Sequence, residues 1–398
     1  MAITDFKKIK KLKVTEISGQ PTISRTACLK ITSGDDTAVG TGEIILDWSN
    51  ISNKSDIGIY DQADNLLDYY FESFDVTNEK AVIWVFRDWI RDNTVQIKIA
   101  YGDGPSDQSI DAVTVFSKET NLVASYLFNE ESGDLLDVSG NNNNGTVNDA
   151  TREIDGITGK AYNFDGENDD VALSLNMENL FPIDGNWAFS TWLYGRGHFF
   201  GSQYNVYGYD RDALGYEVES DGTLAVELGT EDNNTSNPTL GTNISDTDYD
   251  HLVVVGNSGS IDIYKNSVHK FNFTLPDHYP SDGRLRDISR IGAVLQEGGD
   301  GGDVQTGRFN GNISNFKIYS SAIIPDEISS LYDSRSFSFL CNSSLSCSFF
   351  RPLRKLTPMM IRMMAKGNPV VMTAVWSALS PPPYNSTAAT APSELAQK

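Results

Sequence analysis

Leu122-Val-Ala-Ser-Tyr-Leu-Phe-Asn-Glu-Glu-Ser-Gly133 and Gly311-Asn-Ile-Ser-Asn-Phe-Lys-Ile-Tyr319 bound one segment whose interior reads as strands. Within it, Glu217-Val-Glu-Ser-Asp-Gly-Thr-Leu-Ala-Val-Glu-Leu228 sets two alternating runs about an Asp-Gly turn, a hairpin signature. His251-Leu-Val-Val-Val-Gly256, Ser260-Ile-Asp-Ile-Tyr264 and Lys270-Phe-Asn-Phe-Thr274 make a meander of the same kind. Pro325-Asp-Glu-Ile-Ser-Ser-Leu-Tyr332 predicts a short helix opened by proline. Upstream, short alternating runs predict strands over Lys10 to Ile17, Thr26 to Thr32, Gly42 to Asp47, Ile57 to Tyr60, Tyr69 to Asp75, Lys80 to Phe86 and Thr94 to Tyr101. Asp61-Gln-Ala-Asp-Asn65 and Val76-Thr-Asn-Glu79 supply turns between them. No 3.6-residue periodicity competes, so both halves are expected to be all-β.

A length of 398 residues allows two to three domains, each able to bury a core without disulfides. Cys28, Cys341 and Cys347 give no disulfide framework. The 31 Lys+Arg against 54 Asp+Glu leave a net charge of -23, which excludes nucleic acid as a partner because phosphate binding needs a concentrated basic face. Residues 334–398 hold seven basic groups and one acid, so the rest of the chain is more acidic still, at about -29. Met1-Ala-Ile-Thr-Asp-Phe-Lys-Lys-Ile-Lys-Lys-Leu-Lys13 is followed by no apolar stretch, so no secretory signal is expected. No run of 18 or more apolar residues predicts membrane insertion. The linker falls at residues 106–121, after Gly102-Asp-Gly-Pro-Ser-Asp-Gln-Ser109 opens a Gly/Pro/Ser-rich break. Beyond Asp333 the composition turns Ser/Phe/Cys-rich, then Met-rich, then Pro/Ala/Ser/Thr-rich, an irregular tail over 334–398.

The two opening motifs combine with Asp137-Val-Ser-Gly-Asn-Asn-Asn-Asn-Gly-Thr146, Gly159-Lys-Ala-Tyr-Asn-Phe-Asp-Gly166, Trp187-Ala-Phe-Ser-Thr-Trp192 and the closing helix in an order that resembles the laminin-G-like branch of the concanavalin A-like lectin and glucanase superfamily. The resemblance covers residues 122–333 and implies a jelly-roll sandwich. Ser55-Asp-Ile-Gly-Ile-Tyr-Asp61, Leu67-Asp-Tyr-Tyr-Phe-Glu-Ser-Phe-Asp75, Ala81-Val-Ile-Trp-Val-Phe86 and Ile97-Lys-Ile-Ala-Tyr-Gly-Asp103 resemble a domain of unknown function found before such sandwiches in archaeal and bacterial surface proteins. That match runs over residues 5–105 of a domain spanning 1–105, and its basic first strand fits a domain complete at its N-terminus. The expected fold is two β-sandwich domains of jelly-roll type in tandem, with an irregular C-terminal tail.

The resemblance also implies a structural calcium site built from Asn129, Glu130, Asp137, Asn144 and Asn315, since hard cations take carboxylate, amide and carbonyl oxygens. Related sequences carry Asp at the positions of Asn129 and Asn315, so two charges are missing. For a ligand, sugar sites pair aromatic platforms with amide or carboxylate partners on rim loops. Tyr204-Asn-Val-Tyr-Gly-Tyr-Asp-Arg-Asp212 is the densest such cluster, with Tyr204, Tyr207 and Tyr209 as platforms and Asp210, Arg211 and Asp212 as polar partners. The three tyrosines cannot all face one way. Trp187 and Trp192 are assigned to packing, and Asp165, Asn168, Asp169 and Asp170 form a second acidic loop.

Glu217, Glu219 and Asp221 alternate on one face and imitate a glycosidase pair. Yet Asp221 leads into the Asp-Gly turn, and the flanked Glu-x-Asp signature of glucanases is absent, so no catalytic residue is assigned. The four histidines show no metal-ligand spacing. The reading is therefore a non-catalytic surface adhesin, extracellular or on a virion surface, that binds a glycan or glycoprotein on a cell surface as a homo-oligomer or part of an assembly. A structural virion or surface-layer decoration protein without sugar binding is the alternative, and a glycoside hydrolase the third.

Overall fold

The structure is a computed structural model that describes the backbone of residues 2–14, 23–34, 44–89, 95–175, 180–181, 185–206, 210–228, 239–240, 242–274, 289–297, 303–333, 338–342 and 346–350. The seven upstream strands are β1 (Lys8–Val14), β2 (Ile23–Thr32), β3 (Ile44–Ile45), β4 (Ile57–Tyr60), β5 (Tyr69–Asp75), β6 (Lys80–Trp89) and β7 (Val95–Tyr101). One sheet holds β4, β7 and β1, the other β3, β2, β6 and β5. Leu29, Ile31, Ile57, Ile59, Ile83, Val85, Ile97 and Ile99 meet between them, spaced by two residues so that each strand turns alternate side chains inward. The Tyr69 hydroxyl ties the sheets together by donating to the Ile57 carbonyl at 2.9 Å.

Strands β2 and β6 are covered on their second face as well. Cys28 and Trp84, register partners, turn away from the sandwich core toward helix α1 (Ala112–Phe116) and the second domain. A strand buried on both sides has no polar face to show, which is why Ala81-Val-Ile-Trp-Val-Phe86 reads as an unbroken apolar run. Asp111 caps α1, its Oδ1 accepting from the Thr114 amide at 2.8 Å. Val115 and Phe116 are fully buried, so the expected linker carries core residues of its own.

The second domain comprises β8 (Leu122–Tyr126), β9 (Gly145–Asn148), β10 (Thr151–Asp155), β11 (Lys160–Asp165), β12 (Asp170–Leu173), β13 (Asn186–Val206), β14 (Asp210–Val218), β15 (Leu224–Leu228), β16 (Thr239–Leu240), β17 (Asp250–Asn257), β18 (Ser260–Lys265), β19 (Val268–Thr274), β20 (Ser289–Ile291), β21 (Ala293–Glu297), β22 (Asp303–Arg308), β23 (Asn310–Tyr319) and helix α2 (Pro325–Asp333). The junction sheet, which faces the first domain, runs β10-β11-β23-β13-β17-β18-β19 with β8 also on β23. The ribbon sheet runs β9-β12-β20-β13-β14-β15-β16. Strand β13, 21 residues long, belongs to both. Between the sheets Phe189 stacks on Phe316 at 5.6 Å and meets Tyr216 edge-on at 4.8 Å, while Trp187 packs against Phe181 at 4.7 Å. Trp192 is buried too, but on the other face, stacked on His251 and Tyr332. The chain is all-β, two sandwiches in tandem, with two short α-helices among the described residues.

The changeover in β13 falls at Gly197, whose neighbour Arg196 pairs in the junction sheet while Gly197 itself pairs in the ribbon sheet. Its φ is 98°, and a Cβ there would lie 1.9 Å from the Arg308 carbonyl oxygen. Gly197→Ala is thus expected to cost roughly 3 kcal/mol or more, read as a drop in melting temperature. Of the tail, β24 (Ser338–Asn342) and β25 (Ser346–Phe350) form a hairpin, with β25 parallel to β1. Residues 351–398 lie outside the described residues. No described helix is long and apolar enough to cross a membrane.

Candidate functional site

Strand β20 pairs with β13 at Phe200 and Gly201, and β15 leaves β14 at Leu214. From Gln203↔Ala213 to Val206↔Asp210 the strands β13 and β14 pair with each other and, among the described residues, with nothing else. They run past the sheet as a two-stranded ribbon, and this ribbon carries the residues expected to bind ligand.

Register sorts those residues. Tyr204 stands opposite Asp212 and Val206 opposite Asp210, in the parity of Leu214 and Tyr216, which belong to the core. Arg211 stands opposite Asn205, in the parity of Gly215 and Glu217. The backbone register therefore sets Tyr204 beside Asp212 and Arg211 beside Asn205 in the ladder. Tyr207 and Tyr209 lie outside the described residues, as do the side chains of the rest of this set.

The face of the ribbon sheet turned away from the sandwich core holds charged groups that sequence spacing did not pair. His198 and Glu217 face each other across the ladder, Nε2 to Oε2 3.5 Å. Gly307 of β22 backs onto the imidazole, where a Cβ would come to 2.0 Å from Nδ1. Farther along, the buried Asp170 accepts from Asn148 Nδ2 at 2.7 Å and from the Arg290 guanidinium, with Arg308 at 3.9 Å. Gly201 and Gly215 lie between the two groups, and Val294 of β21 covers Gly201. Asp170 lay in the second acidic loop noted in the sequence, but its partner is 120 residues away and gave no local signal. The glycosidase-like trio divides in role. Glu217 pairs with His198, and Asp221 closes the turn by accepting from the Thr223 amide at 2.8 Å. Hydrogen bonds from Thr223 hold the Asp221 carboxyl below its usual range.

Of the residues expected to hold calcium, Asp137 and Asn144 meet in one loop. Asp137 accepts from the amides of Ser125 and Ser139, both at 2.9 Å, from Ser139 Oγ at 2.8 Å and from the Asn143 amide at 3.0 Å. Asn144 Oδ1 accepts from the Asp137 amide at 2.9 Å. Glu130 accepts from the Leu136 amide and from the Tyr162 hydroxyl, each at 3.1 Å. Burial pushes the Glu130 carboxyl up against those hydrogen bonds. Asn315 sits at a bulge with φ 50° and donates to Thr158, and Asn129 hydrogen-bonds Tyr70 of the first domain. The two carboxylates of this set thus face N–H and O–H donors. Among the described residues no three His, Cys, Asp or Glu side chains cluster to hold a metal.

Residues 53–144 match the family described as a domain of unknown function (DUF2341), and residues 165–329 match the concanavalin A-like lectin/glucanases superfamily. No curated protein matches the chain. Solved structures similar to it include the binding domain of Paraclostridial Mosquitocidal Protein 1, at 16% identity over 54% of this chain and 52% of that one, with a TM-score of 0.41. Domain 4 of AbnA, a GH43 extracellular arabinanase from Geobacillus stearothermophilus, in complex with arabinotriose, gives 20% identity, 53% and 98% coverage and a TM-score of 0.41. The receptor binding domain of botulinum neurotoxin C/D mosaic serotype gives 14%, 54% and 51%, and 0.38. The match spans about half the length of the two toxin domains. With each TM-score below 0.5, none of these likenesses bears on what this chain binds. The two family matches follow one another in the order of the two sandwiches.

Proposed function

We propose that the chain is a non-catalytic surface adhesin, extracellular or on a virion, whose second domain binds a glycan or glycoprotein of a cell surface through the β13–β14 ribbon. The observation that carries this reading is the ribbon itself. Among the described residues it pairs with no third strand, and its sequence concentrates tyrosines, an arginine and two aspartates. Aromatic rings offer flat apolar surface to a sugar face, and the charged groups offer hydrogen bonds to hydroxyls. Display in several copies would convert weak single-site binding into firm attachment.

Glycan-array binding by the whole chain, with calcium and again with a chelator, tests the proposal. Specific binding is expected, and a blank array under both conditions removes the sugar. Tyr207→Ala combined with Asp210→Ala is expected to abolish that binding while leaving the melting temperature nearly unchanged. Unchanged affinity in this variant would move the site elsewhere.

A further inference from the structure

We propose that the N-terminal domain, whose family has no assigned activity, serves as a folding buttress: it completes the packing of the concanavalin A-like sandwich and sets its orientation. Two domains joined by a tether meet through a polar surface and move. These two share a hydrophobic core. Trp84 and Cys28 of the first domain and Phe116 of α1 join Val253, Val255 and Tyr319 of the junction sheet in one buried cluster. Stripped of the first domain, that sheet would present a contiguous apolar face, which a free-standing soluble module rarely does.

Polar bonds cross the same boundary at fixed geometry. Arg25 reaches Glu327 of α2 at 2.8 Å while its guanidinium lies 4.8 Å over the Tyr319 ring. Lys317 of β23 donates to Glu119 at 2.6 Å and to Thr26 Oγ1 at 3.1 Å, and the Lys30 ammonium donates to the Ile157 carbonyl. The family match points the same way. It does not stop at the linker but continues through α1 and β8 to residue 144, inside the second sandwich.

Native-state hydrogen exchange on the full chain tests the assignment through two sets of amides, those of β6 and those of β17. In the unmodified protein both sets are expected to exchange only through a common global opening, and calorimetry to show one transition. Trp84→Ala is expected to speed both sets by the same factor, on the order of 100-fold or more. Should that variant fail to fold, Val255→Ala probes from the other side, and faster exchange in β6 is the expected result. Acceleration confined to the mutated domain, or two separate calorimetric transitions, would overturn the proposal. The outcome does not depend on any sugar being bound.

Discussion

Lys317→Ala is expected to destabilise the protein by about 3–5 kcal/mol, the usual cost of stripping one partner from a buried ion pair. The Lys317 side chain is 5% exposed and that of Glu119 is 0% exposed. Glu119 also accepts from Thr26 and, at 3.1 Å, from the Tyr319 hydroxyl. Burial is the largest influence on Glu119 and would raise it, but Lys317 and Arg25 outweigh burial and hold the carboxyl below its ordinary range. Without the ammonium, the carboxylate must stay charged in an apolar core or take up a proton. The double variant Glu119→Gln with Lys317→Met, which removes both charges, is expected to recover most of the loss. Chemical denaturation of the two variants reads the difference, and equal losses in both would refute the ion-pair account. A carboxyl with a depressed folded-state value stabilises above its unfolded value and loses that contribution as pH falls. The network therefore weakens below about pH 4.5.

Glu72→Gln is expected to act in the opposite pH window. The Glu72 carboxyl lies at the domain boundary, accepting from Trp84 Nε1 at 2.7 Å and packed on Gly159 of the second domain. Burial raises it from 4.5 to about 7, against the Trp84 hydrogen bond and the Lys30 charge. Glu130, across the boundary, pushes in the same direction as burial. A carboxyl raised in the folded state binds more protons there than in the unfolded chain, so stability falls as pH climbs from about 4.5 to about 7. By the linkage relation the effect approaches roughly 3 kcal/mol above that window. Glutamine keeps the shape without the ionisation. The variant should match the parent near pH 4.5 and unfold at higher temperature at pH 8. Parallel pH profiles for the two proteins would count against this.

Most of the architecture was legible because strand patterning is local. Each of the seven N-terminal strands lies where alternation placed it, apart from shifts at the ends, and the helix opened by Pro325 is present. The double burial of β6 was visible as Ala81-Val-Ile-Trp-Val-Phe86, although its second partner was not. What periodicity could not supply was who meets whom across the chain. Arg25 and Glu327 are 302 residues apart, and Lys317 sits in a motif that reads simply as a closing strand. Glu119 looked like part of a polar linker. The ribbon was legible as a Tyr- and Asp-rich cluster, but which of its residues stand opposite one another needed the β13–β14 register.

Strand β13 joins the ribbon to the shared core through one continuous backbone, from Val206 to Asn186. A pull along the ribbon axis therefore travels down covalent bonds into the junction sheet, where β17 and β23 grip the strand on both sides. The flanking ladders then bear that load sideways, many hydrogen bonds together, rather than opening one bond at a time from a frayed end. Tension on the ribbon would be spread over the ladders on both sides of the strand before any single bond gave way.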